Sequence, residues 1–221
     1  MDMQVTLQES KLLRREEVAA GTAAFHLEKP SGFRFKPGQA IDVEVGGDRH
    51  AFSIVSAPGE RDLVIATRMR DTPYKRALAA LPDGARIGID GPFGSLTLHK
   101  DHRRGAVFIA GGIGITPFMS MLRQAARDDD DRPIALVYAN RSPETAAYLE
   151  ELQRIARTTS GVRLFTTTAI DAELLRNAAR GINSPVHYVV GPPGMVATAR
   201  RLLEAEGVAD EDIRTEEFFG Y

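Results

Sequence analysis

The stretch "GAVFIAGGIGITPFMSML", residues 105–122, has no charged side chain, and its length approaches that of a membrane-spanning helix. The glycines within Gly111–Gly114 and the proline Pro117 would interrupt such a helix near its middle. The alternative begins with a strand at 106–110 that is buried on both faces and therefore apolar throughout. A glycine turn would follow, then a helix starting at Pro117 with Thr116 as its N-cap. The sequence favours strand, turn and helix over a membrane span.

The composition is that of an ordinary globular protein, with 221 residues, 43% hydrophobic and 26% charged. The net charge of −2 gives no reason to expect a nucleic acid or an anionic membrane as partner. The first residues, "MDMQVTLQES", lack the apolar segment of a signal peptide. The chain has no cysteine, which excludes cysteine-ligated zinc and iron–sulfur clusters within it. This composition fits a reducing cytoplasm, where we expect the protein to act.

Two kinds of pattern divide the chain. Up to about residue 98, short strand-like runs such as "KPGQAIDVEV" and "DLVIATRM" alternate with turn signals, which predicts an antiparallel barrel or sandwich. From Ala106 onward, apolar strands alternate with helical patterns, which predicts right-handed βαβ units and a parallel sheet. We therefore expect two domains, residues 1–100 and 105–221.

The predicted linker is "TLHKDHRRG", residues 97–105, which contains His99 and His102. Two histidines in a polar linker are expected to be solvated rather than to bind a metal. We find no Ser–His–Asp or paired-carboxylate arrangement, so hydrolytic chemistry is not indicated. No metal is expected.

Two glycine-containing turns follow predicted strands, "GGIGITP" at 111–117 and "VVGPPGM" at 189–195. Such turns allow backbone N–H groups and a helix N-terminus to approach a phosphate, and ligands of parallel sheets bind at the carboxyl ends of strands. The alternative is that the glycines serve packing and the methionine lies in the core. The candidate nucleotide-binding residues of these turns are Gly111, Gly112, Gly114, Thr116, Gly191, Pro192 and Met195.

The second strand of the parallel sheet, "IALVYA", is followed by Asn140, Arg141 and Ser142. A guanidinium and a hydroxyl at this place suit the 2′-phosphate of NADP(H), where an acidic residue would suit the free ribose of NAD(H). The alternative is a surface arginine beside a helix N-cap formed by Ser142. The sequence favours NADPH over NADH, and Asn140 and Arg141 join the candidate site.

The segments "RHAFSIVSAP", "GPFGSL", "GGIGITP", "GPPGM" and "EEFFGY" occur in one order across essentially the whole chain. Together they resemble the ferredoxin–NADP reductase superfamily. The resemblance implies a six-stranded antiparallel β-barrel that binds FAD, followed by an α/β domain with a parallel sheet that binds NADP(H).

In that superfamily an Arg-x-Tyr-Ser/Thr segment holds the flavin, and it matches His50, Ala51, Phe52 and Ser53 here. The resemblance implies that Phe52 packs on the isoalloxazine and that Ser53 hydrogen-bonds flavin N5. His50 stands where arginine is usual, which is similar to the His-Pro-Phe-Thr segment of ferric reductases. Arg49 is one residue away, and on a strand it should point to the opposite face.

The resemblance implies two further flavin contacts in the barrel. The strand residues Ala66, Thr67 and Arg68 match a strand that contacts the flavin. The pyrophosphate turn falls on Thr72–Lys75, so that Tyr74 and Lys75 become candidates for FAD binding. Lys75 replaces a hydroxyl residue and could contact phosphate as a point charge; the alternative is an exposed helix lysine.

The chain end "EEFFGY" is apolar for a terminus. In the superfamily an aromatic residue near the end stacks on the flavin, a role open here to Phe218 or Tyr221. Glu217 is the candidate for a glutamate near the flavin. Phe218 and Phe219 are expected to alternate on a strand, with one of them in the core.

The resemblance implies an FAD-dependent NAD(P)H reductase that passes a hydride from NADPH to FAD. The nicotinamide C4 would come within about 3–3.5 Å of flavin N5. The candidate catalytic residues are Ser53, Thr116, Glu217 and Tyr221. The expected electron acceptor is a separate protein, a ferredoxin or flavodoxin, or a small molecule. The alternatives are a reductase of ferric chelates or free flavin, and a flavin-binding electron-transfer subunit that does not oxidise NAD(P)H.

Overall fold

The first part of the chain forms an antiparallel barrel in the computed structural model, which describes residues 7–219. The strands in chain order are β1 (Gln8–Ala19), β2 (Thr22–Glu28), β3 (Ala40–Val45), β4 (Asp48–Ser53), β5 (Asp62–Arg68) and β6 (Arg86–Phe93). Their order in the sheet is β4-β3-β6-β1-β2-β5. A bridge between Ile54 and Ile65 brings the two edge strands together and closes the barrel.

The barrel core follows from alternation along its strands. In β3, Ile41, Val43 and Val45 are buried while the residues between them are half-buried, because successive side chains on a strand point to opposite faces. The helix α1 (Pro73–Ala80) packs on this core through Tyr74 and Leu78.

The second part forms a parallel sheet with helices on its faces. Its elements are β7 (Ala106–Gly111), α2 (Thr116–Asp128), β8 (Ile134–Ala139), α3 (Leu149–Thr158), β9 (Val162–Thr167), α4 (Ala172–Ala179), β10 (Val186–Gly191), α5 (Pro193–Ala205) and β11 (Ile213–Glu217). The strand order is β11-β10-β7-β8-β9, and every residue of β7 and β10 is buried. An antiparallel barrel followed by an α/β parallel sheet confirms the predicted fold class.

The start of α2 differs from the prediction. A 3₁₀ turn at Gly112–Ile115 leads directly into the helix, which begins at Thr116 rather than Pro117. Thr116 is therefore not the N-cap, and its Oγ1 donates to the carbonyl of Ile113 at 3.0 Å. The 3₁₀ turn itself satisfies backbone groups that a side-chain cap would otherwise serve.

The prediction that the linker histidines are solvated is wrong for His99, which is buried. Its Nε2 donates to the carbonyl of Arg104 at 3.0 Å, so its Nδ1 accepts from the Tyr188 hydroxyl at 3.0 Å. Burial lowers the pKa of His99, which favours this neutral form. His99 thus satisfies a buried hydroxyl of strand β10, which lies inside the parallel sheet. His102 is exposed and accepts from Arg132 Nη2 at 2.8 Å.

Residues 7–219 contain no group of three or more acidic or histidine side chains placed to hold a metal ion. In the same part of the chain, no helix combines the length and apolar character needed to cross a bilayer.

Candidate functional site

A cavity of about 410 Å³ lies between the barrel and the parallel sheet. Its size falls in the range of cavities that hold organic ligands. Strands β4 and β5, the start of α1, the 3₁₀ turn before α2 and the residues around the end of β11 contribute its walls. The lining residues are Ala40, His50, Ala51, Phe52, Ser53, Ala66, Thr67, Arg68, Arg70, Thr72, Lys75, Phe93, Ile113, Thr116, Glu216, Glu217, Phe218 and Phe219.

An aromatic group forms the barrel wall of this cavity. Phe52 stacks on Tyr74 with ring centroids 6.0 Å apart, and His50 lies over the same tyrosine at 4.0 Å. The Tyr74 hydroxyl donates to the carbonyl of Val43 at 2.9 Å and is buried. The structure therefore places Tyr74 behind the cavity wall, where it supports His50 and Phe52, and not in the lining where we expected it.

The orientation of Arg49 agrees with the alternation of the strand. Its guanidinium lies 3.4 Å from the carboxylate of Glu44 and 3.8 Å from that of Asp90, while His50 lines the cavity. Arg49 therefore does not replace the missing arginine at position 50.

Three cationic side chains, Lys75, Arg68 and Arg70, line the cavity. Lys75 Nζ donates to Thr67 Oγ1 and lies 4.6 Å from the centre of the Phe52 ring. Burial lowers the pKa of Lys75 to about 8, and within residues 7–219 no carboxylate lies within 4.0 Å of its ammonium. A diphosphate would supply a negative partner for these cations.

The residues at and after the end of β11 contribute carboxylate and aromatic side chains to the cavity. Glu216 is half-buried, and burial raises its pKa, while Glu217 is exposed. The prediction that Phe218 and Phe219 alternate on a strand is wrong, because β11 ends at Glu217. Phe218 is partly buried against the core and its N–H donates to Gly191 at 2.9 Å, whereas Phe219 is 80% exposed. Tyr221 lies outside the described residues.

Sequence reasoning missed several lining residues. Glu216 could have been found from its place beside Glu217 in the sequence. In the structure it lies near the carboxyl end of β11, opposite Val190 of the neighbouring strand β10. A carboxyl group with a raised pKa in a cavity is a candidate for function. Phe93, Ile113 and Phe219 lie within the motifs quoted above, but none of them was singled out as a site residue. Ala40 and Arg70 lie outside those motifs and have no such signal.

The two glycine turns are packed against each other. A Cβ atom on Gly111 would lie 2.3 Å from Met195 Sδ and 2.9 Å from Pro192 Cδ. On Gly114 it would lie 2.3 Å from the carbonyl oxygen of Val190. The packing role that we held open as the alternative therefore applies to both glycines. Gly112 and Gly191 have φ angles of 53° and 158°, and the former lies in the region that favours glycine.

Ile113 and Thr116 are the residues of the first glycine turn that line the cavity. Thr116 thus shares one cavity with Ser53, as the predicted junction of the two cofactors requires. Asn140 and Arg141 follow β8, the strand beside β7, and Arg141 is exposed. Ser142 occupies the N-cap position of the 3₁₀ turn Pro143–Thr145, which agrees with the alternative that we gave for that residue.

Residues 108–201 match the family model described as the oxidoreductase NAD-binding domain. The chain is 30% identical over 221 residues to the vanillate O-demethylase oxidoreductase of Pseudomonas putida, covering 94% of this chain and 67% of that protein. The chain belongs to the ferredoxin–NADP reductase superfamily. The chain has the fold of the NAD(P)H-dependent flavoprotein oxidoreductases. The cofactors that this fold binds are FAD and NAD(P)H.

Two further proteins resemble this member of the superfamily. The reductase component of propane 2-monooxygenase from Rhodococcus jostii (strain RHA1) is 29% identical over 218 residues, covering 86% of this chain and 57% of that protein. The crystal structure of phthalate dioxygenase reductase superposes with a TM-score of 0.80 at 25% identity, covering 96% of this chain and 68% of the other. The chain thus spans little more than half the length of the propane 2-monooxygenase component.

The cavity fits the cofactors of this superfamily. The cations Lys75, Arg68 and Arg70 in its lining suit the diphosphate of FAD, and the ring of Phe52 suits a flat ring system. The lysine ammonium in particular is desolvated by burial and has no carboxylate beside it among the described residues.

Proposed function

We propose that this chain oxidises NADPH with FAD held in the cavity and delivers electrons singly to a separate iron–sulfur protein. FAD supplies the conversion between hydride and single-electron transfer. The observation that carries the proposal is that Ser53 from the barrel and Thr116 from the glycine turn line one cavity. In this proposal residues 1–100 bind FAD and residues 105–221 bind the nicotinamide nucleotide.

The chain's own residues bind and orient the cofactors in this proposal. Lys75, Arg68 and Arg70 hold phosphate, and Phe52 packs on the flavin ring while Tyr74 fixes the position of Phe52. Ser53 donates a hydrogen bond to the flavin, and Thr116 orients the nicotinamide. Because hydride transfer is direct, no side chain needs to act as a general base.

The expected acceptor is a ferredoxin-type iron–sulfur protein. The Rhodococcus relative is named as a reductase component, and the phthalate dioxygenase reductase is described as transferring electrons from pyridine nucleotides to [2Fe-2S]. These 221 residues contain no cysteine, so a cysteine-ligated cluster would have to lie outside them. In this proposal the iron–sulfur acceptor centre therefore lies outside these 221 residues.

An anaerobic visible spectrum of the FAD-loaded protein, before and after stoichiometric NADPH or NADH, tests the proposal. Bleaching of the flavin absorbance followed by reduction of an added [2Fe-2S] ferredoxin is the expected result. A flavin that neither nucleotide bleaches would instead indicate an electron-transfer subunit. Faster turnover with ferric citrate, free FMN or flavodoxin than with the ferredoxin would show that the acceptor is not a ferredoxin but the faster substrate.

Replacing Arg141 with alanine should raise the KM for NADPH about 10-fold, since a charge-assisted hydrogen bond to phosphate contributes roughly 1.5–3 kcal/mol. The KM for NADH should stay nearly unchanged, because that nucleotide has no 2′-phosphate. Steady-state kinetics with both nucleotides provide the measurement. Arg157→Ala, which removes another exposed arginine, is the control, and equal effects on both nucleotides would rule out the role assigned to Arg141.

A further inference from the structure

The two residues that meet in the cavity come from parts of the chain that are far apart in sequence. Ser53 is the last residue of β4, and Thr116 is the first residue of α2. Their separation depends on how α2 lies against the barrel. The polar contacts of α2 with the barrel side of the molecule include several to segment 54–60, which continues directly from Ser53.

One face of α2 makes these contacts. Thr116, Ser120, Arg123 and Arg127 recur at the three- and four-residue spacing of a single helix face. Ser120 and Arg123 contact segment 54–60 as described below, and Arg127 Nη2 lies 3.5 Å from the carbonyl oxygen of Gly59. The face therefore runs along the segment, with its first residue in the cavity.

Ser120 makes the shortest of these contacts. Its hydroxyl donates to the carbonyl of Ser56 at 2.7 Å, and both serines are fully buried. A buried hydrogen bond of this kind holds two backbones at one separation, because a small shift leaves a carbonyl without a partner. A helix rises 1.5 Å per residue, so Ser120 lies about 6 Å along the axis from Thr116.

Arg123 joins the barrel segment, α2 and α3. Its Nε and Nη2 donate to the two carboxylate oxygens of Glu151 at 2.8 and 2.7 Å. Its Nη1 lies 3.5 Å from the carbonyl of Val55 and 3.6 Å from the carboxylate of Glu60. The guanidinium also lies 5.4 Å from the centre of the Tyr148 ring. A planar guanidinium held in two directions in this way has little freedom to turn.

The barrel segment is itself held in place. Val55 N–H donates to the carbonyl of Val64 at 2.8 Å, and the Ser56 hydroxyl accepts from Val64 N–H at 3.0 Å. Lys29 Nζ donates to the carbonyl of Pro58 at 2.8 Å. Since the segment cannot follow a moving helix, the α2 contacts set where Thr116 lies relative to Ser53.

We infer that Ser120 and Arg123 are positioning residues for hydride transfer, setting the distance between the nicotinamide side and the flavin side of the cavity. The inference rests on the proposed function. A misplacement of 1 Å costs about 100-fold in the rate of a reaction between positioned groups. Neither residue lines the cavity, so neither contacts the cofactors.

Stopped-flow reduction of the FAD-loaded protein tests the inference. Ser120→Ala and Arg123→Met should each lower the limiting rate of flavin reduction about 10-fold or more, with the dissociation constants of FAD and NADPH changed less than about 2-fold. Arg123→Lys, which keeps the charge but loses the planar fork, should give an intermediate rate. Arg154→Met is the matched control, because Arg154 lies 3.8 Å from the same Glu151 but is exposed.

A distance measurement provides a readout that does not depend on activity. Because the chain has no cysteine, nitroxide labels can be attached through Asp83→Cys in the barrel and Glu173→Cys on α4, both exposed positions. Pulsed electron resonance on the labelled protein should show a shifted or broader distance distribution for Arg123→Met than for Arg154→Met.

The two experiments separate failure of the inference from failure of the proposed function. Unchanged reduction rates in both Ser120→Ala and Arg123→Met would overturn the inference, and so would an unchanged distance distribution in Arg123→Met. If neither nucleotide reduces the flavin of the parent protein, the proposed function fails. The distance distributions then still decide whether Arg123 sets the relative position of the two sheets.

Discussion

Replacing Lys75 with methionine should lower the affinity for FAD about 10- to 100-fold, because a hydrogen bond between a charged donor and phosphate contributes about 1.5–3 kcal/mol. The same change should stabilise the FAD-free protein at pH 7. Both effects have one cause: the Lys75 ammonium is half-buried without a carboxylate partner among the described residues. Methionine keeps most of the aliphatic chain that packs near Phe52.

The sign of the stability change follows from the pKa. Burial lowers the pKa of Lys75 from 10.5 to about 8, so between these values the unfolded chain binds more protons than the folded protein. The free energy of unfolding of the FAD-free protein therefore rises with pH across this window, and the destabilising effect is complete below it. Removing the ammonium should stabilise the protein by about 1–3 kcal/mol at pH 7, after allowance for partial solvent screening.

FAD affinity should depend on pH in the opposite direction. Because phosphate favours the charged ammonium, binding of FAD to the parent protein should weaken as pH rises above about 8, the pKa of Lys75. Lys75→Met should lose this dependence.

Flavin fluorescence titrations at several pH values and urea unfolding of the FAD-free protein provide the measurements. Arg76→Met is the control on the same helix, since Arg76 is exposed and paired with Asp71. If Arg76→Met weakened FAD binding as much as Lys75→Met does, the phosphate contact assigned to Lys75 would be refuted.

Replacing Ser53 with alanine should slow flavin reduction about 100-fold, the typical cost of losing one donor at a site of changing charge. Ser53 is 6% exposed and lines the cavity that Thr116 enters. A hydroxyl in such a buried place acts more strongly on charge than one in water. The affinity for FAD should change little, since the phosphate contacts are made elsewhere.

The limiting rate in anaerobic stopped flow, measured with NADPH and separately with NADH, tests the role of Ser53. Ser31→Ala, in an exposed loop, is the control for a lost hydroxyl. A normal limiting rate in Ser53→Ala would show that this hydroxyl does not assist hydride transfer. Phe52 would then be the proposed flavin contact of the segment His50–Ser53.

Local patterns were sufficient to predict most of the strands, but not β1, most of whose residues are exposed. The uninterrupted apolar runs of β7 and β10 indicate strands covered on both faces, and all of their residues are buried. The turn signals before residue 100 likewise predict short antiparallel strands. These patterns depend on neighbours within a few residues, so they can be read along the chain.

The candidate site was predicted unevenly. The segment His50–Ser53 and the residues Ala66–Arg68 of β5 both line the cavity, and their roles toward the flavin stay a prediction. Tyr74 could not be placed from sequence, because its position behind the wall depends on the Val43 carbonyl of another strand. The prediction for His99 was wrong for a similar reason. A polar linker predicts a solvated histidine, whereas His99 is buried and hydrogen-bonded to the hydroxyl of Tyr188, which lies 89 residues further along the chain.

The amino-acid sequence alone was enough for most of the strands and helices, the two glycine turns and the family of the chain. These depend on periodicity and on motifs in which neighbouring residues act together. The shared cavity of Thr116 and Ser53, the position of Lys75 without a carboxylate beside it among residues 7–219, and the contacts of Ser120 and Arg123 became visible only in the folded molecule. Each of them joins residues far apart in the chain, and their distances depend on packing between a barrel and a helix that no local pattern encodes.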